Sequence, residues 1–172
     1  DFVWIDKFTI RNLELFSSNG DREGCSFADV VDRTQTPMGG RLLRRWIAMP
    51  IKDIEQLNRR QEMVAYLVAN RDFSDTMGEC IMGIGDIERI ASRVASLRVT
   101  PRELVQLKHS LSSLATLKAL FDSSDCDVMN DLAGRIDELE SVRKRLETDI
   151  YPDPANNQIQ KGLDSIEKDL LS

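Results

Sequence analysis

The chain has 172 residues, 41% hydrophobic and 30% charged. That is enough for the buried core of one domain, or of one and a half. No run approaches the roughly 18 consecutive apolar residues that a membrane-spanning helix needs, and no signal peptide opens the chain. With 23 Lys and Arg against 29 Asp and Glu the net charge is −6, which opposes a dedicated role in binding nucleic-acid phosphates.

Aromatic residues are scarce at 6%, and this favours helix over a β-sandwich. Cys25, Cys80 and Cys126 are odd in number and lack CxxC spacing, so neither a disulfide framework nor a zinc site is expected. Each reads as a small buried or half-buried residue, and a cytoplasmic location suits free thiols. The start at Asp1 and the stop at Ser172 read as the ends of a segment cut from a longer polypeptide.

In chain order, residues 2–16 are rich in β-branched and aromatic side chains and predict one or two short strands. A polar, glycine-containing loop follows over 17–24. Ser26 with Asp29 predicts an N-cap for a short helix through Val31. Thr36 followed by Pro37 is a stronger start signal: the threonine oxygen accepts an orphan N–H, and proline at the first helical position has none to leave unpaired. Met38, Leu42 and Trp46 then recur every fourth residue and predict a buried face. On that reading Trp46 is a core anchor, and its removal costs about 3–5 kcal/mol.

Asp53 and Gln56 predict the cap of a longer helix buried through Ile54, Leu57, Val64, Leu67 and Val68 and ending near Asn70. A short helix is expected around Asp75–Met82, broken by Gly83-Ile84-Gly85, with Asp86 capping the next. That next helix has Ile87, Ile90, Ala91, Val94 and Leu97 on its apolar face. Thr100-Pro101-Arg102-Glu103 combines a threonine cap, a proline at N1 and a glutamate at N3. Leu104, Leu107, Leu111, Leu114 and Phe121 line the long helix it opens.

After an acidic turn, Val128, Leu132, Ile136, Leu139, Val142, Leu146 and Ile150 predict a second continuous helix of roughly 34 Å, antiparallel to the first. Tyr151-Pro152-Asp153-Pro154 is expected to be extended, and a further helix is expected from about Asp164. The fold class predicted is therefore mainly α: a helical domain with a minor N-terminal β element and long antiparallel helices.

Charge is unevenly placed. Residues 41–60 hold Arg41, Arg44, Arg45, Lys52, Arg59 and Arg60 against Asp53 and Glu55, whereas residues 122–140 hold Asp122, Asp125, Asp127, Asp131, Asp137, Glu138 and Glu140 against Arg135 alone. The candidate contact residues are Arg41, Arg44, Arg45, Arg59 and Arg60. They are expected to serve ion pairs within the protein or at a domain interface, or weak contacts to a DNA backbone.

No catalytic, cofactor-binding or metal-binding residues are assigned. His109, the single histidine, reads as a partly exposed helical residue, and Asp72, Asp75, Glu79 and Asp86 read as a solvated acidic face. The Gly83-x-Gly85 pair lacks the third glycine and the lysine of a phosphate loop, and no Gly-x-x-x-x-Gly-Lys-[Ser/Thr] sequence occurs.

Residue identities add a resemblance. Thr34-Gln35-Thr36-Pro37-Met38-Gly39-Gly40-Arg41-Leu42-Leu43-Arg44-Arg45-Trp46 closely resembles the signature at the start of the core domain of the MutS family of DNA mismatch-recognition ATPases. Upstream, Ile5-Asp6-Lys7-Phe8-Thr9-Ile10-Arg11-Asn12-Leu13-Glu14-Leu15 is similar to a second family block. Pro50 with Arg59–Arg60, Gly85-Asp86-Ile87-Glu88-Arg89-Ile90 and Thr100-Pro101-Arg102-Glu103-Leu104 follow in the family's order.

The resemblance implies that residues 1–155 are the N-terminal part of the core domain and that 156–172 begin the lever helix towards a DNA clamp. For the complete protein it implies a homodimer that binds mismatched double-stranded DNA and uses ATP and Mg. This segment would then be a non-catalytic coupler in contact with other MutS domains. Its sequence has neither the P-loop nor the Phe-x-Glu motif that the family uses at a mismatch. Two other readings fit the same residues: a diverged homologue acting on recombination intermediates, and a stand-alone helical interaction module. An enzyme built on His109 or a cysteine is a third.

Overall fold

A computed structural model describes residues 2–17 and 24–150. The expected extended stretch at 151–154 and the expected lever helix at 156–172 lie outside the described residues, as does most of the polar loop at 17–24. Among the described residues there are nine helices, and the mainly α fold class stands. The chain divides into two compact units, Asp1–Tyr66 and Leu67–Ser172.

The first unit contains α1 (Lys7–Asn12), α2 (Phe27–Val31), α3 (Pro37–Ala48) and most of α4 (Ile54–Ala69). The strands expected at 2–16 are replaced by α1, and the one β feature here is an isolated antiparallel bridge between Phe2 and Ile51. Local capping overrides β-favouring composition. Asp6 accepts the Thr9 N–H and hydroxyl, both at 2.9 Å, which fixes the first turn. Glu14 then takes a left-handed conformation (φ 49°), and the Leu15 N–H returns to the Ile10 carbonyl at 3.1 Å, closing the helix.

The caps form as the sequence predicts. Ser26 and Asp29 make a reciprocal capping box at α2. Thr36 accepts the Gly39 N–H at 3.0 Å, and Asp53 accepts the Gln56 N–H at 3.1 Å.

The apolar faces of this unit depart from expectation. Trp46 is 40% exposed, Leu42 is also exposed, and no residue of α3 is fully buried. On α4, Ile54, Leu57, Val64 and Val68 are exposed, Val68 by 78%, whereas Met63, Tyr66 and Leu67 on another face are half-buried. The helix is apolar on two faces, and only one is covered. Cys25 is exposed rather than buried.

The second unit is built around α7 (Pro101–Asp122), a 22-residue helix that packs against α5 (Arg71–Met82), α6 (Ile87–Ala95), α8 (Asp127–Gly134) and α9 (Glu140–Asp149). The capping box predicted at Thr100 and Glu103 is present, and Arg93 pairs with Glu103 at 2.8 Å. Ile90, Val94, Leu104, Leu107, Leu111, Leu146 and Ile150 form the core, with Ile87, Val99, Leu114 and Val142 packed around it. Further along α7 the Phe121 ring stacks on Phe73 of α5 at 6.4 Å. Leu117, Cys126, Val128, Met129 and Ala133 are also buried.

Two elements of this unit correct the sequence reading. Leu97 leaves the apolar face of α6: it is 65% exposed in a left-handed conformation (φ 54°), where the Arg98 N–H closes on the Arg93 carbonyl at 2.8 Å. The second long helix is broken, because residues 135–139 separate α8 from α9. Gly134 ends α8, and Asp137 captures the Leu139 N–H at 2.9 Å in place of a helical carbonyl.

The turn at Gly83–Gly85 is fastened to α7. Ser110, fully buried, donates to the Gln106 carbonyl at 2.8 Å and accepts the Gly85 N–H at 2.9 Å. A Cβ on Gly85 would sit 2.5 Å from Nε2 of the exposed Gln106, so a larger residue here requires that side chain to swing aside. Replacing Ser110 with Ala leaves the Gly85 N–H without its acceptor. The expected cost is about 1–3 kcal/mol, read as a lower urea midpoint at unchanged slope.

Candidate functional site

The five arginines singled out by sequence lie on α3 and α4 of the first unit. The Thr36 cap and Pro37 set the start of α3, and from there the helical repeat puts Arg41, Arg44 and Arg45 at exposed positions. Arg44 is 4.0 Å from the Asp29 carboxylate and lies 5.9 Å from the centre of the Phe16 ring. Asp29 is held below the ordinary carboxylate range, first by the Ser26 hydroxyl, then by the Ser26 N–H, with Arg44 adding to both.

On α4, Arg59 is exposed and Arg60 is half-buried, its guanidinium 3.7 Å from the centre of the Trp46 ring. Arg41 and Arg59 also have interactions of their own. The structure therefore joins Arg60 to Trp46 and Arg44 to Asp29 and Phe16, while Arg45 stands at an exposed position.

A cation over an indole contributes about 0.5–1 kcal/mol at an exposed site and about 2 kcal/mol when desolvated, and a half-exposed ring gains only part of its burial energy. Trp46→Ala is accordingly expected to cost about 1–2 kcal/mol, less than a core anchor. A denaturation shift of 3 kcal/mol or more would restore the buried assignment.

Sequence reasoning missed an open, mostly apolar groove along α4, lined by Leu57, Arg60, Gln61, Val64 and Ala65. Part of the signal was present, since Leu57, Val64 and Val68 belong to the stripe that the sequence reads as an internal core face; Gln61 and Ala65 do not. Periodicity identifies an apolar stripe but not what covers it.

The chemistry found elsewhere is structural. His109 is exposed on α7. The Gly83–Gly85 turn does not fit a nucleotide phosphate, because its backbone donors are committed: Gly83 N–H to Glu79 and Cys80, Ile84 N–H to Ile81, and Gly85 N–H to Ser110. Among the described residues no group of three or more His, Cys, Asp and Glu side chains is placed to hold a metal ion, and no helix is long and apolar enough to cross a membrane.

The chain is helical in both units: the second is organised on the capped helix α7, and the first has exposed basic and apolar side chains on α3 and α4. Comparison with known proteins gives it a family. The family profile described as MutS domain III matches residues 8–166, and the chain belongs to that family. It is 41% identical over 145 residues to the DNA mismatch repair protein MutS of Cytophaga hutchinsonii, covering 84% of this chain and 17% of that protein. It is 40% identical over 153 residues to the MutS protein of Bacteroides fragilis (89% of this chain, 18% of the relative). It is also 40% identical over 161 residues to that of Parabacteroides distasonis (94% and 18%). The chain thus spans under a fifth of the length of these relatives.

Proposed function

We propose that this chain is the coupling segment of a cytoplasmic mismatch-repair protein. In the complete protein, a homodimer would engage mismatched double-stranded DNA through a clamp and use ATP and Mg in a separate ATPase domain. The segment itself contributes mechanics and no catalysis. The observation that carries this reading is α7: 22 residues, about 33 Å at 1.5 Å per residue, held by helices along its length. A long helix buried by its neighbours transmits a displacement from one end to the other with little bending. The sequence has neither a P-loop nor the mismatch-reading motif, which supports reading nucleotide and mismatch chemistry as the work of other parts of the complete protein.

Arg41, Arg44, Arg45, Arg59 and Arg60 then serve contacts to other MutS domains or weak contacts to the DNA backbone. The α4 groove favours the first of these roles, since an apolar surface gains little from phosphate. Fluorescence anisotropy with perfect and mismatched duplexes tests the reading. The isolated chain should bind weakly, equally to both, and less as salt rises, because few cations are available for counterion release. Calorimetry should show no saturable ATP binding. Submicromolar affinity with a preference for the mismatch, or micromolar ATP binding, would overturn the assignment.

A further inference from the structure

The segment that joins α8 to α9 conflicts with its own sequence. Val128, Leu132, Ile136, Leu139, Val142, Leu146 and Ile150 follow one another at spacings of four, four, three, three, four and four, the pattern of a single unbroken helix with one apolar face. In the structure that helix stops at Gly134 and restarts at Glu140.

The cost of the break collects at Leu139. It is a non-glycine residue in the left-handed region (φ 45°, ψ 48°), and it begins α9 with no side-chain cap. It is also 43% exposed, whereas its immediate neighbours in the stripe, Ile136 and Val142, are half-buried and the more distant Val128, Leu146 and Ile150 are buried. The break is held by local hydrogen bonds together with the packing of both flanking helices on α7, which buries Val128, Met129, Ala133, Leu146 and Ile150. The Leu139 N–H donates to Asp137 Oδ1, and Glu138 pairs with Lys118 of α7 at 3.6 Å. On a continuous helix Gly134 and Asp137 would lie on the side opposite the stripe, so neither interrupts the apolar face, although both lower helix propensity and favour the open form.

We propose that residues 135–139 are a two-state hinge, open in this structure, which closes into a single helix running from Asp127 to Asp149. Closure returns Leu139 to helical dihedrals, adds it to the apolar face beside Val142 and Leu146, and supplies the first turn of α9 with carbonyl acceptors from the preceding turn. The product is a strut of about 34 Å in place of two short helices meeting at a corner. Closing the corner necessarily displaces Ile150, or α8, relative to α7. The two states follow from local geometry and do not depend on the coupling role proposed above.

Chemical exchange saturation transfer NMR on the chain tests the hinge directly. Residues 135–139 are expected to exchange with a minor state in which Leu139 has a helical 13Cα shift. Asp137→Ala removes the bond that favours the open form and raises helix propensity, so it should enrich the minor state about five-fold or more. Leu139→Gly relaxes the left-handed residue and weakens the closed helix, so it should deplete the minor state about ten-fold or more. Both positions are exposed, so the core is untouched. A single non-helical state at 135–139 in the Asp137→Ala chain overturns the hinge. Exchange that is indifferent to Leu139→Gly overturns it equally. The readout involves neither DNA nor nucleotide, so either result leaves the function proposal to its own test.

Discussion

Leu111→Ala is expected to lower the unfolding free energy by about 3–5 kcal/mol. Leu111 is 1% exposed in the cluster that joins α6, α7 and α9, and neighbouring backbone cannot collapse onto the missing side chain without moving a capped 22-residue helix. Since a domain's total stability is about 5–15 kcal/mol, the loss is a large fraction of the whole. The matched control is Leu97→Ala, the same chemical change at a side chain 65% exposed. Its expected effect is within about 0.5 kcal/mol. Urea denaturation followed by far-ultraviolet circular dichroism measures both. If the two variants shift the midpoint equally, Leu111 is not a core residue and the packing of α7 is wrong.

How far the sequence foretold this structure depends on the kind of signal. Helix starts were legible because a cap is a local event: Ser26, Thr36, Asp53, Asp86 and Thr100 each accept the N–H three residues on. The stripe on α7 was legible because its partners, α6 and α9, lie within the same chain. Trp46 and the outer face of α4 were misread because an apolar period records that a face avoids water and says nothing of what covers it. In a chain that spans under a fifth of its relatives, an uncovered face is unsurprising. The α1 segment was misread because β-branched and aromatic composition outweighed Asp6, although one carboxylate bonding to Thr9 twice was enough to start a turn. The break before α9 was hidden because Leu139 keeps the helical period while leaving the helical conformation. At the site, the arginines were legible as a cluster, but the stacking of Arg60 on Trp46 was not, because the two are fourteen positions apart in sequence and meet only through the fold of the first unit.

Hydrogen exchange is expected to separate the two units by a wide margin, with amides of α3 and α4 up to Tyr66 exchanging far faster than those in the middle of α7. Among the described residues of Asp1–Tyr66, only Ser26 and Ala28 are buried, whereas the second unit holds the whole of the main core cluster. Helices of 12 and 16 residues with no buried side chain depend on propensity and caps, and isolated helices of that length are marginal in water. The Thr36 and Asp53 caps contribute about 1 kcal/mol each, which delays fraying without supplying a core. Amides of α3 should therefore open at a cost of about 0–2 kcal/mol, while those between Leu107 and Leu117 should open only with global unfolding of their unit. In the complete protein proposed above, exchange in α3 and α4 should be selectively slower if their exposed apolar faces are interdomain surfaces. Equal protection in the two units of the isolated chain would show that the first unit has a core of its own, and the exposed faces of Trp46, Val64 and Val68 would have to be reassigned.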